Sequence, residues 1–164
     1  MEADQTLFDA ALDQLDRRWP NSSGVAAAAY LDDGSVFTGV SLSNINAAMS
    51  LCAETSPIMM AYSTGRAVIA TICVGRESNS SGVLVLAPCG ACQERLALWG
   101  PDVEVGVHDR DAPSGWSSRA QARLEERRRT PDEVGQVVAS RRVASRRRRV
   151  RSSDCRASSP TVRR

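Results

Sequence analysis

Leu7, Phe8, Ala11, Leu12 and Leu15 recur at the three- and four-residue spacing that gathers apolar side chains on one helical stripe. Residues 3–18 are therefore predicted to form an amphipathic helix, ended by the loop-forming run Trp19-Pro20-Asn21-Ser22-Ser23-Gly24. Two short apolar runs, Val25 to Leu31 and Val36 to Leu42, flank the turn signal Asp32-Asp33-Gly34-Ser35 and predict a β-hairpin. A loop holding Ser43-Asn44-Ile45-Asn46 leads into a second helix, expected from Cys52 to about Thr64, with Pro57 tolerated near its first turn. Ala67 to Val74 is apolar without alternation, as in a strand covered on both faces. A polar loop spans Gly75 to Gly82, and Val83 to Ala87 is a short extended lead-in. Pro88 then opens a helix at a cysteine pair, which stops near Gly100-Pro101, and Val103 to Val107 alternates as a further strand. This order predicts an α/β fold, a mixed sheet with helices on both faces.

Beyond Trp116 the pattern fails. Residues 117–129 suggest a charged helix with little apolar support beyond Ala120 and Leu124. Residues 130–164 carry Arg141-Arg142, Arg146 to Arg149, many serines and no aromatic residue, a composition that buries too little apolar surface to offset the entropy of ordering. The sequence thus divides into a domain at 1–116 and an Arg/Ser-rich tail at 117–164, expected to be disordered.

Charge sharpens that division. Residues 1–116 hold 6 Arg against 14 acidic residues, a net of −8, and residues 117–164 hold 15 Arg against 5, a net of +10. Such a tail reads as an electrostatic arm for nucleic acid, as a solvated segment without a dedicated role, or as an extended or frame-shifted reading frame. Arginine without any lysine points to a GC-rich, bacterial genome. The acidic domain argues against a polynucleotide groove. No apolar stretch approaches the roughly 20 residues of a membrane span, and the acidic start, Met1-Glu2-Ala3-Asp4, does not resemble a signal peptide. Free thiols at Cys73 and Cys155 suit a reducing cytoplasm.

The chemistry lies in Cys52-Ala53-Glu54 and in Pro88-Cys89-Gly90-Ala91-Cys92. A ligand two residues before a Glu, followed by Pro-Cys-x-x-Cys, is the layout of the zinc deaminases. Three cysteine ligands and one open position let zinc lower the pKa of water to roughly 7, and a nearby carboxylate off the metal can then carry protons. Cys52, Cys89 and Cys92 are the predicted Zn²⁺ ligands and Glu54 the proton shuttle, with two helix starts favouring thiolates. Other readings are a closed zinc knot completed by Cys73, His108 or Cys155, which leaves Glu54 without a role, and a redox Cys89/Cys92 pair, which leaves Cys52 unused. His108, ending a strand, reads as a surface or turn residue.

With these motifs in place, residues 3–110 resemble the cytidine deaminase family in its short, three-cysteine form, which includes blasticidin S deaminases. The resemblance implies a three-layer αβα fold, a free nucleoside as substrate, a homotetramer or homodimer, and a zinc site between two helix N-termini. Members that use cytidine bind its ribose through an Asn-x-Glu-Asn segment; the matching stretch here is Ser41-Leu42-Ser43-Asn44. Ser41, Ser43, Asn44 and the backbone at Ala53 are the implied substrate-binding positions, but a serine lacks a carboxylate's charge-assisted grip on a sugar hydroxyl. The family's Pro-x-Ser-x-Phe segment appears as Pro20-Asn21-Ser22-Ser23-Gly24, without its Phe. Three-cysteine members often carry an Arg after the Glu to moderate the sulfur charge. Thr55 stands there, so helix dipoles or Gln93 are expected to serve, or turnover to fall. Trp99 and Trp116 are candidates for an aromatic wall, although a Trp that ends a helix more often packs in a core or interface. The activity implied is hydrolytic deamination of cytosine in a free nucleoside. The alternatives are deamination of a blasticidin S-type antibiotic, and a non-catalytic, zinc-stabilised protein that binds nucleic acid through its tail.

Overall fold

The computed structural model describes residues 1–78, 82–121 and 124. Helix α1 (Gln5–Arg18) begins where the Asp4 side chain accepts a hydrogen bond from the Leu7 amide, and it buries Leu7, Ala11 and Leu15. Strands β1 (Gly24–Leu31) and β2 (Val36–Val40) form the expected hairpin. Its turn is closed by the Leu31 amide on the Ser35 carbonyl and by Gly34 at a φ of 82°, a left-handed conformation that favours glycine. Helix α2 (Thr55–Ser63), strands β3 (Val68–Arg76) and β4 (Leu84–Val85), helix α3 (Gly90–Leu96) and strand β5 (Glu104–His108) follow.

The sheet runs β2-β1-β3-β5 with a last strand beyond β5, and β4 pairs separately with β3. Neighbours are antiparallel except β3 and β5, which are parallel and joined through α3, so the sheet is mixed as the pattern predicted. Side chains alternate across it. Ala26, Ala28 and Tyr30 of β1, with Ala70, Ile72 and Val74 of β3, pack under α1. Ala29 and Leu31 join Ile58 and Ala61 of α2, Leu96 of α3 and Val105 and Val107 of β5 on the opposite face. Helices therefore cover both faces, giving three αβα layers. The run of four alanines in β1, favourable to helix in isolation, becomes an interior strand because its hairpin and β3 supply hydrogen-bond partners on both edges.

Two helix boundaries differ from the sequence reading. The second helix starts at Thr55, not Cys52; Cys52 and Ala53 lie in the turn before it, with the Thr55 amide on the Cys52 carbonyl. Pro57 then occupies the first turn, where a missing amide hydrogen costs nothing. Helix α3 ends at Leu96, and a short 3-10 turn at Ala97–Trp99 carries the chain to Gly100.

The larger correction comes after Trp116. In place of the start of a charged helix over 117–129, Trp116–Ala120 form strand β6, antiparallel to β5. Leu124 packs against the core of the α2/α3 face, so the folded unit, Met1–Leu124, extends past the boundary expected at residue 116. An edge strand has neighbours on one side only, so Trp-Ser-Ser-Arg-Ala can be mostly polar and still pair. Residues 125–164, including the segment read as a disordered arm, lie outside the described residues. No described helix is long and apolar enough to cross a membrane.

Candidate active site and metal centre

Strand β3 brings the two motifs together. At its end Val74 pairs with Val85 of β4, and the Leu86 amide donates to the Cys73 carbonyl. The chain then turns through Pro88 to Cys89, the residue before α3, and Cys92 lies within that helix. On the other side, the turn before α2 sits directly on β2 at Gly39, where a Cβ atom would come within 2.5 Å of the Ala53 carbonyl oxygen. Only glycine leaves room for Cys52, Ala53 and Glu54 to settle this close to the sheet.

The sulfurs of Cys52, Cys89 and Cys92 lie within 4.8 Å of one another, and those of Cys52 and Cys89 are 3.2 Å apart. Tetrahedral zinc with bonds of about 2.3 Å spaces sulfurs at about 3.8 Å, so the three fit that ion with small adjustments. Among the described residues no other group of three or more His, Cys, Asp or Glu side chains converges in this way, and neither Cys73 nor His108 belongs to this one. The closed-knot reading therefore gains no fourth ligand from the described residues. Thiolate donors are also the set that selects zinc over hard cations.

The thiols are unequal. Burial opposes ionisation of Cys89, but the amides of Cys92 and Ala91 and the neighbouring thiols bring it below the usual thiol range. The hydrogen bond to Cys89, then burial, pushes Cys52 upward. Burial and the Glu54 carboxylate push Cys92 upward as well. Zinc must accordingly displace protons from Cys52 and Cys92.

Glu54 is 2% exposed. Among the described residues its Oε1 has no hydrogen-bond partner, and the Cys92 thiol lies against its carboxylate. Burial raises its pKa from 4.5 to about 7, against the Cys92 hydrogen bond and the charge of Arg95. A buried, half-partnered carboxyl that holds its proton near neutrality suits a group that must both accept and return one.

The same value predicts a pH-dependent stability for the metal-free chain. The unfolded chain sheds the Glu54 proton from about pH 4.5 while the folded chain keeps it to about 7, so stability falls as pH rises through that window. The penalty is on the order of 3 kcal/mol above it. Urea melts of metal-free protein at pH 5 and pH 8 should show this loss, and Glu54→Gln should abolish it; equal slopes in both proteins would disprove the assignment.

The cavity beside these groups encloses about 380 Å³. Ser41, Leu42, Ser43, Ser50 and Leu51 line it together with Cys52, Ala53, Glu54, Cys73, Ala87 and Cys89. Ser41, Ser43 and Ala53, the positions implied for substrate binding, are among the lining residues. Asn44 is not among the lining residues: its amide donates to the Met49 carbonyl and its backbone N–H to Ser50, which closes the loop. Asn46 caps the 3-10 turn Ala47–Met49. Neither tryptophan is among the lining residues, and both pack against core clusters. Trp116 stacks on Phe8 at 5.8 Å on the α1 face, and Trp99 packs into the core under α2 and α3.

Gln93 does not serve the sulfurs either, since its amide donates to the Pro88 carbonyl at 2.7 Å. The residue missed from the sequence is Arg95, whose guanidinium reaches Thr55 Oγ1 at 3.4 Å and Cys92 Sγ at 4.0 Å. Its position three residues after Cys92 on a helix was the available signal.

Residues 1–107 match the family described as "Cytidine and deoxycytidylate deaminase zinc-binding region". A cytidine deaminase of Mycobacterium tuberculosis is 38% identical over 73 residues, which cover 44% of this chain and 51% of that protein. The chain therefore spans about half the length of the curated relatives it matches. The structure is similar to a crystal structure of the cytidine deaminase from Bacillus anthracis, with 36% identity, a TM-score of 0.68, and coverage of 74% of this chain and 86% of that one. The cytidine deaminase from Mycobacterium leprae is similar over 71% of this chain and 95% of its own, at 29% identity and a TM-score of 0.53. With the family match running from α1 into β5 and the two motifs meeting in one cluster of sulfurs beside a buried carboxylate, this chain belongs to the zinc-binding cytidine and deoxycytidylate deaminase family.

Proposed function

We propose that the protein hydrolytically deaminates cytosine carried on a free nucleoside, releasing ammonia and leaving the uracil product. The observation that supports this most is the meeting of three converging thiols with Glu54, buried and short of one partner among the described residues, beside a cavity of about 380 Å³ that Cys52, Cys89 and Glu54 line. Cys52, Cys89 and Cys92 would hold zinc. When bound, zinc supplies the Lewis acidity that makes water a nucleophile at neutral pH.

The chain's own residues do the rest. Glu54 takes a proton from the attacking water and delivers it to the ring nitrogen next to the amine-bearing carbon, then takes the remaining proton of the added hydroxyl and passes it to the departing ammonia as the carbon–nitrogen bond breaks. The apolar surround of Ala53, Cys73 and Leu86 keeps competing water from the carboxyl. Ala53 and Ala87 are among the lining residues, and we assign the base edge to their backbone groups.

The sugar end favours a second reading, deamination of a cytosine nucleoside with a modified sugar, of the blasticidin S type. Ser41, Ser43 and Ser50 face the cavity among Leu42, Leu51 and Leu86, and Glu54 is the sole carboxylate among the lining residues. Hydroxyls alone hold a ribose diol more weakly than a carboxylate does.

We further propose a homodimer or homotetramer in the cytoplasm. Ile45, Met49, Met59, Met60 and Tyr62 are exposed apolar side chains on the loop and helix around the site, suited to a second copy. Zinc-loaded protein should turn over at least one of cytidine, deoxycytidine and blasticidin S, read as ammonia release, and light scattering should give two or four chains. Absence of turnover on all three by metal-replete protein would reject the deaminase reading; a preference for blasticidin S would select the second.

A further inference from the structure

We propose that Arg95 is a positioning residue for the metal site, a guanidinium sent from α3 to offset the negative charge of the three sulfurs and to tie together the two helix starts that carry them. The inference rests on the reading that Cys52, Cys89 and Cys92 hold zinc.

Three thiolates around a dication leave a net charge of −1, and here the carboxylate of Glu54 lies against the same cluster. Excess negative charge in a half-buried site weakens both ligand binding and the metal's electron-withdrawing power, so a cation beside the sulfurs has a physical use. Arg95 is placed to be that cation. It lies three residues after Cys92 on α3, on the same face of the helix, and its Nη1 is 4.0 Å from Cys92 Sγ. The same nitrogen donates to Thr55 Oγ1 at 3.4 Å. Thr55 opens α2 directly after Glu54, so one group spans both halves of the site.

The other arginines with carboxylate partners are committed elsewhere. Arg66 pairs with Asp32 and Asp33, Arg76 with Asp16, and Arg119 with Asp109. Arg95 forms no ion pair of this kind among the described residues. A guanidinium also suits this task better than an ammonium group, because it keeps its charge at any working pH and holds its N–H donors in a fixed plane.

The test measures metal binding apart from turnover. Zinc affinity is read against a competing chelator, and the thiolate-to-metal charge-transfer band is read after cobalt(II) loading, for wild type, Arg95→Gln, Arg95→Lys and the double variant Thr55→Arg/Arg95→Gln. Arg95→Gln should bind zinc about ten- to a hundredfold more weakly and move the cobalt band to lower energy, since sulfurs without a nearby cation give up electrons more easily. Metal-free Arg95→Gln should melt where metal-free wild type does. Arg95→Lys should recover part of the affinity, and the double variant, which offers the guanidinium from α2, should recover both readouts. Wild-type affinity with an unmoved band in Arg95→Gln would overturn the proposal. A change that neither other variant recovers would overturn it too, leaving Arg95 a packing role. A wild-type chain that takes up neither zinc nor cobalt is a separate result, and it would remove the metal site itself.

Discussion

Glu54→Gln is expected to retain zinc and lose at least a hundredfold in turnover, the low end of the range for removing a general acid/base. Glutamine keeps nearly the same volume and one carbonyl oxygen, so the turn before α2 and the three sulfurs should stay where they are. What disappears is a group that can exchange a proton. The carboxyl of Glu54 is 2% exposed, so bulk water cannot substitute for it readily. The result separates chemistry from assembly when metal content and rate are measured on the same preparation. Retained zinc with unchanged rate would remove Glu54 from the mechanism, whereas lost zinc would mean that the carboxylate supports the metal site instead.

Loss of the metal should have the second large effect, this time on stability. Cys92→Ala removes the one fully buried sulfur of the three and leaves two ligands, too few for a closed grip on zinc. A ligand that binds only the folded chain at a thousandfold excess over its dissociation constant contributes about 4 kcal/mol. For a domain of this size that is on the order of 10 to 20 °C in Tm. Zinc-loaded wild type should therefore melt well above both Cys92→Ala and chelator-stripped wild type, and the last two should lie close together. Loading should also release protons, because Cys52 and Cys92 hold theirs in the metal-free chain, so affinity should climb steeply with pH. If stripping leaves the melting temperature unmoved, the sulfurs are not holding a metal that the fold depends on.

The strand after Trp116 changes how the tail should be probed. A truncation at residue 116 would delete most of β6 and expose the edge of β5. Any comparison that asks what the Arg-rich segment does must therefore keep residues through Leu124, which packs against the α2/α3 face.

The amino-acid pattern alone determined the amphipathic first helix, the hairpin around Asp32-Asp33-Gly34-Ser35, the mid-sheet strand read over Ala67 to Val74 and the pairing of Cys52-Ala53-Glu54 with Pro88-Cys89-Gly90-Ala91-Cys92. These are local signals: periodicity, turn chemistry and ligand spacing survive without knowing what lies opposite. Only the tertiary structure decided the rest. Trp-Ser-Ser-Arg-Ala has no strand signal of its own and pairs because β5 offers an unpaired edge. Asn44 carries the residue type expected for a sugar contact, yet its exposed side-chain amide donates to the Met49 carbonyl of its own loop. Arg95 comes near the sulfurs because two helix starts, about 40 residues apart in the chain, converge over the end of β3. Contacts between distant segments follow from packing, which sequence spacing does not encode.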